Sequence, residues 1–233
     1  MELNDKRIRI IVGHYGSGKT EFAVNYAVKM AELGRKTSLV DLDIANTYFR
    51  SRERQALLED KGVLVYSNTF GYDITADLPA ISSRIRAPLE DVECNTIVDA
   101  GGDDSGARIL VQFKKYFTGE QSEMLCVINA NRPETSTVDR ALSHITRIEK
   151  ETSLKVSGIV NNTHLIKETV SEDILKGYEL ARGVSKVLKI PIKYNCCVEH
   201  LVEDLTGKTR DLDDFNIFPI KLYMRENWMD RDI

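Results

Sequence analysis

The chain has 233 residues, of which 42% are hydrophobic and 29% are charged. This mixture can bury a sizeable core, and it excludes a disordered chain, a collagen-like repeat and a small disulfide-knit scaffold. The formal net charge of −4 provides no overall attraction to nucleic acid or to an anionic membrane, and we expect no nucleic acid as a partner. At roughly 150 residues per domain, the length allows one large domain or two small ones. Because the sequence contains no linker-like segment, we assign residues 1–233 to a single domain.

The amino-terminal residues and the cysteines bear on the cellular compartment. Residues 1–6 include acidic side chains and no apolar stretch like that of a signal peptide. No apolar run approaches the ~18 residues that span a bilayer. The four cysteines form no C-x-x-C motif and are too few for a disulfide framework in a chain of this length. We therefore expect a reduced, cytoplasmic setting and no membrane span.

Short apolar runs alternate with longer amphipathic segments along the whole chain, and Gly34 follows the first helical segment where a glycine stops a helix. The predicted strands are Ile8–Val12, Lys36–Asp41, Val63–Tyr66, Thr96–Asp99, Met124–Asn129, Val156–Val160 and a short one that begins at Ile190. The predicted helices are Thr20–Leu33, Ser51–Asp60, a short one between Pro79 and Pro88, 104–117, Thr135–Glu151, Val170–Leu188 and one after Pro219. This alternation predicts a doubly wound α/β fold, with a mostly parallel sheet flanked by helices.

A glycine-rich segment connects the first predicted strand to the first predicted helix. It reads Gly13-His14-Tyr15-Gly16-Ser17-Gly18-Lys19-Thr20 and fits the phosphate-loop pattern G-x-x-x-x-G-K-[ST]. In such a loop, backbone N–H groups and the helix N-terminus bind phosphates. We expect Lys19 to face solvent without ligand and to reach the β- and γ-phosphates, Thr20 to ligate Mg²⁺, and Glu21 to complete the nucleotide contacts. The structural alternative is an ordinary glycine-rich turn.

Beyond this loop, the chain resembles the MinD/ParA/CobQ class of P-loop nucleotide-binding proteins from about residue 7 to about residue 200. The second strand ends in Asp41-Leu42-Asp43, which corresponds to an Asp-x-Asp element of that class. The resemblance places Asp43 in switch I, near Mg²⁺ and the attacking water, where a carboxylate can orient that water. Asp43 is thus an expected catalytic residue together with Lys19, and an expected metal ligand. The alternative is that two aspartates simply end a strand.

Two further segments extend the resemblance. The strand in Thr96-Ile97-Val98-Asp99-Ala100-Gly101-Gly102 ends like a Walker B element, which implies Asp99 as a Mg²⁺ ligand. Gly102 then occupies the position whose backbone N–H senses a γ-phosphate. The segment from Asn129 to Arg140 resembles the Pro-Glu segment of the class, although its proline and hydroxyl residues also suit a helix start.

The residues after the sixth predicted strand bear on the choice of base. Asn161 and Asn162 lie where the class often places an asparagine against the base. A GTPase would carry Asn-Lys-x-Asp there, and neither the lysine nor the aspartate is present. An amide can both donate to and accept from adenine, so we expect ATP rather than GTP as the cofactor. A purely structural role for the two asparagines is the alternative.

One signature of the class is missing. The lysine expected directly after the first loop glycine, which would cross to a partner subunit, is replaced by His14. A neutral imidazole brings less charge than an ammonium at pH 7. Arg50, Arg52 and Arg54 are candidate substitute cations near switch I, or merely the mixed-charge start of a solvated helix.

Two patterns in the carboxyl-terminal third allow both functional and structural interpretations. Cys196, Cys197 and His200 suggest a metal site, but neighbouring residues of an extended segment point in opposite directions. The apolar stripe between Ile220 and Trp228 could target a membrane as in MinD, but mixed charges flank it and favour packing on the domain or on a partner.

These observations lead to a functional hypothesis. The chain is expected to bind Mg-ATP, to hydrolyse it slowly and to act as a switch on an unknown partner protein, with an ATP-favoured homodimer. The alternatives are a small-molecule phosphotransferase or ATP-dependent ligase of the dethiobiotin-synthetase or cobyrinate-amidation type, and a nucleotide-binding scaffold without useful turnover. Segment 67–93 could hold either a substrate or a partner, and the sequence does not decide between them.

Overall fold

In the computed structural model, residues 6–43, 54–67, 78–102 and 104–224 are described, with the backbone alone at 78–83 and 104–105. The strands are β1 (Ile8–Val12), β2 (Thr37–Leu42), β3 (Val63–Ser67), β4 (Asn95–Ala100), β5 (Ser122–Ile128), β6 (Gly158–Asn161), β7 (Ile192–Val198) and β8 (Ile217–Ile220). They form one sheet in the order β3-β2-β4-β1-β5-β6-β7-β8, and every pairing is parallel. The predicted doubly wound α/β fold is therefore confirmed.

Helices cover both faces of this sheet. They are α1 (Lys19–Glu32), α2 (Gln55–Asp60), α3 (Leu78–Glu90), α4 (Asp104–Ala107), α5 (Lys114–Phe117), α6 (Val138–Thr152), α7 (Ser171–Leu188) and α8 (Val202–Lys208). One buried apolar cluster joins α1 and α2 to one face, and a second joins α3 to α8 to the other. Because both faces are covered, β1 and β2 are buried along their whole length, as is typical of parallel strands.

The end of the first helix follows the sequence prediction. The Gly34 N–H donates to the Ala31 carbonyl at 2.8 Å, and the Arg35 N–H donates to the Met30 carbonyl at 3.2 Å. This pair of bonds satisfies carbonyls that the helix end leaves open, and it reverses the chain toward β2. The prediction that Gly34 stops α1 is confirmed.

The segment predicted as one helix over 104–117 is divided into three parts. Between α4 and α5, Arg108–Phe113 forms a 3₁₀ helix that buries Leu110 and Phe113. Side chains three residues apart eclipse one another in a 3₁₀ helix, so this geometry turns both residues into the core. The single-helix prediction was wrong because apolar residues three positions apart suit a 3₁₀ helix as well as an α-helix.

Two other predictions near prolines need correction, and two short elements near the carboxyl terminus were not predicted. Pro79 and Pro88 both lie within α3 rather than on either side of a shorter helix. Pro219 lies inside β8, an edge strand where a proline is tolerated, and residues 221–224 are not helical. The rest of the predicted tail helix, 225–233, lies outside the described residues. Both α8 and β8 were missed because each is short and carries weak periodicity.

Within the part of the chain that is described, no helix has both the length and the apolar character required to cross a bilayer.

Candidate functional site

Three adjacent strands bring the predicted site residues to one edge of the sheet. β4 lies between β1 and β2, and the three strands run parallel. The loop Gly13–Thr20 follows β1, Asp43 follows β2, and Asp99 lies near the end of β4, where it is in register with Asp41. Carboxyl ends of parallel strands share one edge, which is where α/β sheets bind ligands.

The loop turns tightly into α1. The Ser17 N–H donates to the His14 carbonyl at 3.0 Å, and Gly18, at φ 81°, forms the N-cap of the helix. A Cβ on Gly18 would lie 2.2 Å from the Asn162 side-chain nitrogen, so only glycine fits there. The same nitrogen donates to the Ser17 carbonyl at 2.9 Å. Asn162, predicted as a base contact, therefore braces the phosphate loop.

Gly102 lies against the opposite side of the loop. A Cβ at this position would lie 2.9 Å from the Tyr15 nitrogen and 3.0 Å from the Gly13 oxygen. Such distances leave no space for any side chain. The chain after β4 thus touches the phosphate loop backbone at the position that the resemblance implies for sensing a γ-phosphate.

Lys19 and Asp43 form a buried ion pair. The Lys19 Nζ lies 2.5 Å from Asp43 Oδ2, and each residue is 4% exposed. Burial lowers the pKa of the Lys19 ammonium, but the Asp99 and Asp43 carboxylates outweigh this effect and raise it. The expectation that Lys19 faces solvent without ligand was wrong, because acidic side chains at the ends of β2 and β4 enclose it.

Asp99 is the most enclosed carboxyl of the site. It is 1% exposed, and neither of its oxygens has a well-formed hydrogen bond within the described residues. Burial raises the pKa of the Asp99 carboxyl to about 7, although the Lys19 ammonium and the Thr20 hydroxyl lower it. A carboxylate in this state gains from a cation. The surroundings of Asp99 therefore fit Mg²⁺, which usually takes one or two carboxylates together with phosphate oxygens and water.

No group of three or more His, Cys, Asp or Glu side chains within the described ranges is arranged to hold a metal ion by itself. Cys196 and Cys197 are adjacent in β7 and join opposite core clusters. This arrangement agrees with the expectation that neighbouring cysteines point in opposite directions.

A cavity of about 330 Å³ opens beside the loop and the first turn of α1. Its polar end contains Lys19 and Thr20, and its other walls are mainly apolar. The lining side chains beyond the loop include Asn162, His164, Ile166, Cys196, Cys197, Val198, Ile220, Leu222 and Met224. The size and character of this space suit a nucleoside placed next to phosphates on the loop.

Glu21 turns away from the loop and fixes the wall of this cavity. Its carboxyl accepts hydrogen bonds from the N–H groups of Tyr223 at 2.6 Å and Met224 at 3.1 Å. Burial raises the pKa of the Glu21 carboxyl to about 7, although these N–H groups lower it. One turn further, Asn25 exchanges two 2.8 Å hydrogen bonds with the Lys221 backbone. The chain after β8 is thereby docked on α1.

Asn161 lies behind the loop. Its side-chain nitrogen donates to the Ile174 carbonyl and to Asn195, and its side-chain oxygen accepts from Thr163. The residue is fully buried. Its predicted contact with a base stays a prediction, whereas its contacts in the structure join β6 to α7 and β7.

His14 is the loop residue that departs from the class pattern, and it lies beside His144 and Glu134. The His14 ring lies 5.5 Å from the ring of His144, and its Nδ1 lies 3.6 Å from a Glu134 oxygen. Of the candidate substitute cations, Arg54 is half-buried just before α2. Arg50 and Arg52 lie outside the described residues.

Sequence reasoning missed two side chains beside the loop. Arg132 follows β5 and donates from Nε to the Gly16 carbonyl at 2.9 Å. His164 lines the cavity, and burial together with the Arg132 charge lowers the pKa of its imidazole to about 4. Arg132 lies in the Pro-Glu segment and His164 lies two residues after Asn162, but the signals there concerned a helix start and a base contact.

Similar solved structures include proteins of the signal recognition particle pathway. FtsY from Mycoplasma mycoides aligns at a TM-score of 0.55 and 19% identity, over 83% of this chain and 60% of that one. FtsY from Elizabethkingia anophelis in complex with GDP gives 0.54 and 17%, over 83% and 58%. The signal recognition particle 54 kDa protein from Aeropyrum pernix K1 in complex with GDP gives 0.52 and 23%, over 80% and 41%.

These likenesses show that the chain has the α/β fold of these proteins, and that it spans about 60% of their length or less. No protein-family model and no curated protein matches the chain. The narrower resemblance to the MinD/ParA/CobQ class stays a prediction based on its motifs.

Proposed function

We propose that this chain binds a nucleoside triphosphate with Mg²⁺ on the loop Gly13–Thr20 and hydrolyses it slowly. The observation that carries the proposal is the meeting of the loop, Lys19, Asp43 and Asp99 at one edge of three adjacent strands. Open backbone N–H groups, a helix N-terminus and a lysine supply positive potential for phosphates. The two carboxylates supply oxygens for a cation and for an oriented water.

ATP is the proposed nucleotide. Recognition of guanine requires a carboxylate that accepts from two base N–H groups, and the only carboxyl lining the described cavity is Glu21. That carboxyl already accepts from Tyr223 and Met224. The Asn162 amide lines the cavity and can serve adenine instead. GTP is the second candidate, because two of the similar structures contain GDP.

Thr20, Asp99 and, by resemblance, Asp43 are the residues proposed to hold Mg²⁺. When bound there, the cation neutralises charge on the phosphate oxygens. The residues of this chain contribute the remaining functions: Lys19 binds phosphate, Gly102 approaches it through its backbone, and Asp43 orients water. All of these atoms lie at the same sheet edge.

The switch function is proposed from the Lys19–Asp43 pair. The β- and γ-phosphates would compete with Asp43 for the Lys19 ammonium, which lies 2.5 Å from Asp43 in the structure. Nucleotide binding is therefore expected to release Asp43, the last residue before segment 44–53. A partner protein or a second copy of this chain that binds the released state better would respond to the nucleotide.

The test is calorimetry of the purified chain with ATP and GTP, each with Mg²⁺ and with a chelator. We expect ATP to bind at least tenfold more tightly than GTP, and the chelator to weaken binding. A preference for GTP would replace ATP in the proposal, and no binding of either nucleotide would refute it. Phosphate release that requires an added small molecule would favour the phosphotransferase or ligase alternative over a switch.

A further inference from the structure

We infer that Arg132 is a phosphate-binding residue of this site, supplied by the same chain that carries the loop. The inference rests on the proposed nucleotide site and adds a residue to it. Arg132 is a cation beside the loop. The loop itself carries His14 at the position where the MinD/ParA/CobQ class has a second lysine.

The backbone of Arg132 is held in place. Its N–H donates to the Asn129 carbonyl at 3.0 Å, and its carbonyl accepts from the Thr135 N–H at 3.0 Å. The Thr135 hydroxyl also donates to the Asn129 carbonyl at 2.7 Å. Pro133 follows directly and restricts the chain further. The side chain of Arg132 therefore starts from a fixed turn at the end of β5.

The guanidinium lies flat against the phosphate loop. Besides the 2.9 Å bond from Nε to the Gly16 carbonyl, a Cβ on Gly16 would lie 3.1 Å from Arg132 Cζ and 3.4 Å from Nη2. Among the described residues, neither terminal nitrogen of Arg132 has a hydrogen bond or an ion pair. The nearest acidic neighbour in sequence, Glu134, lies instead beside His14.

This arrangement matches the chemistry of a phosphate. A guanidinium presents parallel N–H groups that fit two phosphate oxygens, and such charge-assisted bonds are strong. Arg132 lines the same cavity as Lys19 and Thr20, so its terminal N–H groups, which have no partner among the described residues, border the space that phosphates on the loop would occupy. His164 lines the same cavity, where burial and, to a smaller extent, the Arg132 charge lower the pKa of its imidazole.

A purely structural role for Arg132 is the competing explanation, because its Nε also fixes the Gly16 carbonyl. The two roles respond differently to substitution. Arg132→Gln keeps a neutral amide donor but removes the positive charge. Arg132→Lys keeps the charge but loses the parallel pair of guanidinium N–H groups. Arg140→Gln is the matched control, since Arg140 lies in the same segment and donates to the Pro133 carbonyl without lining the cavity.

The experiment is calorimetry of the full chain with Mg²⁺ and a non-hydrolysable ATP analogue, ADP or adenosine, after equal urea midpoints have been established. We expect Arg132→Gln to weaken binding of the analogue at least tenfold and binding of adenosine less than twofold. Arg132→Lys should fall between Arg132→Gln and wild type, and Arg140→Gln should match wild type.

Two outcomes would overturn the inference. Wild-type affinity for the analogue in Arg132→Gln would remove Arg132 from phosphate binding. An equal loss for the analogue and for adenosine would assign it the structural role of shaping the loop. If wild type binds none of the three ligands, the proposed function fails as well, and that result is distinct from a defect confined to the Arg132 variants.

Discussion

Replacement of Lys19 by methionine tests how the ligand-free loop is held. In a phosphate loop with a solvent-facing lysine, Lys19→Met would abolish nucleotide binding and leave the stability unchanged. Here the ammonium is buried 2.5 Å from Asp43 and lowers the pKa of Asp99. The substitution therefore leaves buried carboxylates without their cation, and we expect it to destabilise the fold in the absence of any ligand.

The magnitude follows from the burial of both partners. Removing one member of a buried ion pair costs roughly 3–5 kcal/mol, because the remaining charge is left uncompensated. For a chain of this length 1 kcal/mol corresponds to roughly 2–4 °C, so the melting temperature should fall by about 10 °C. The double variant Lys19→Met with Asp43→Asn removes both charges and should recover most of this loss.

The pH dependence adds a second readout. Without Lys19, Asp99 loses the ammonium that lowers the pKa of its carboxyl, so the pKa of Asp99 in the folded state rises further. A carboxyl with a raised folded-state pKa contributes stability at low pH and loses it as the pH rises through that value. The destabilisation of Lys19→Met should thus be larger at pH 8 than at pH 6.

Urea denaturation of wild type, the single variant and the double variant at both pH values measures these effects. An unchanged unfolding free energy in Lys19→Met at pH 8 would refute the buried-pair argument. A double variant as unstable as the single one would show that Asp43 is not the residue left uncompensated.

Two further predictions concern Glu21 and Gly102. Burial raises the Glu21 pKa to about 7, so its contribution to stability is lost as the pH rises from about 4.5 to about 7. In Glu21→Gln, roughly 3 kcal/mol of this decline in stability should be absent when unfolding by urea is measured between pH 4 and pH 8. A pH profile identical to that of wild type would count against the raised pKa of Glu21. Gly102→Ala should press on the Tyr15 nitrogen and weaken ATP binding at least tenfold in calorimetry, whereas Gly119→Ala, with open space around it, should not.

The sheet and the loop could be predicted because their signals are local. Buried parallel strands are continuous apolar runs, and glycines that approach a backbone are irreplaceable, so Gly13–Thr20 and the strand ending at Asp99 are visible in the sequence. Strand order is also constrained by short right-handed crossovers. Asp43 and Asp99 lie close together because parallel strands end at a common edge, so their proximity can be predicted from the positions of the strands.

The remaining features depend on contacts between distant segments. Lys19 is buried only because acidic side chains from two other strands enclose it, and nothing within its own helix indicates this. Glu21 bonds the chain after β8, some two hundred residues away, and its position beside the loop in sequence does not reveal this contact. Arg132 bonds Gly16, which lies 116 residues earlier in the sequence. Such contacts arise from the packing of the whole sheet.

The Lys19–Asp43 pair leads to a last prediction, which separates binding from hydrolysis. In the ligand-free chain, Asp43 competes with phosphate for the same ammonium, so Asp43→Asn removes a competitor and should tighten ATP binding. The same change removes the carboxylate proposed to orient the attacking water, an interaction that matters only on the way to the transition state, so kcat should fall. A tenfold fall corresponds to about 1.4 kcal/mol of barrier. Calorimetry and single-turnover hydrolysis distinguish the cases: weaker ATP binding with loss of Mg²⁺ dependence would make Asp43 chiefly a metal ligand, and unchanged turnover would remove it from the chemistry.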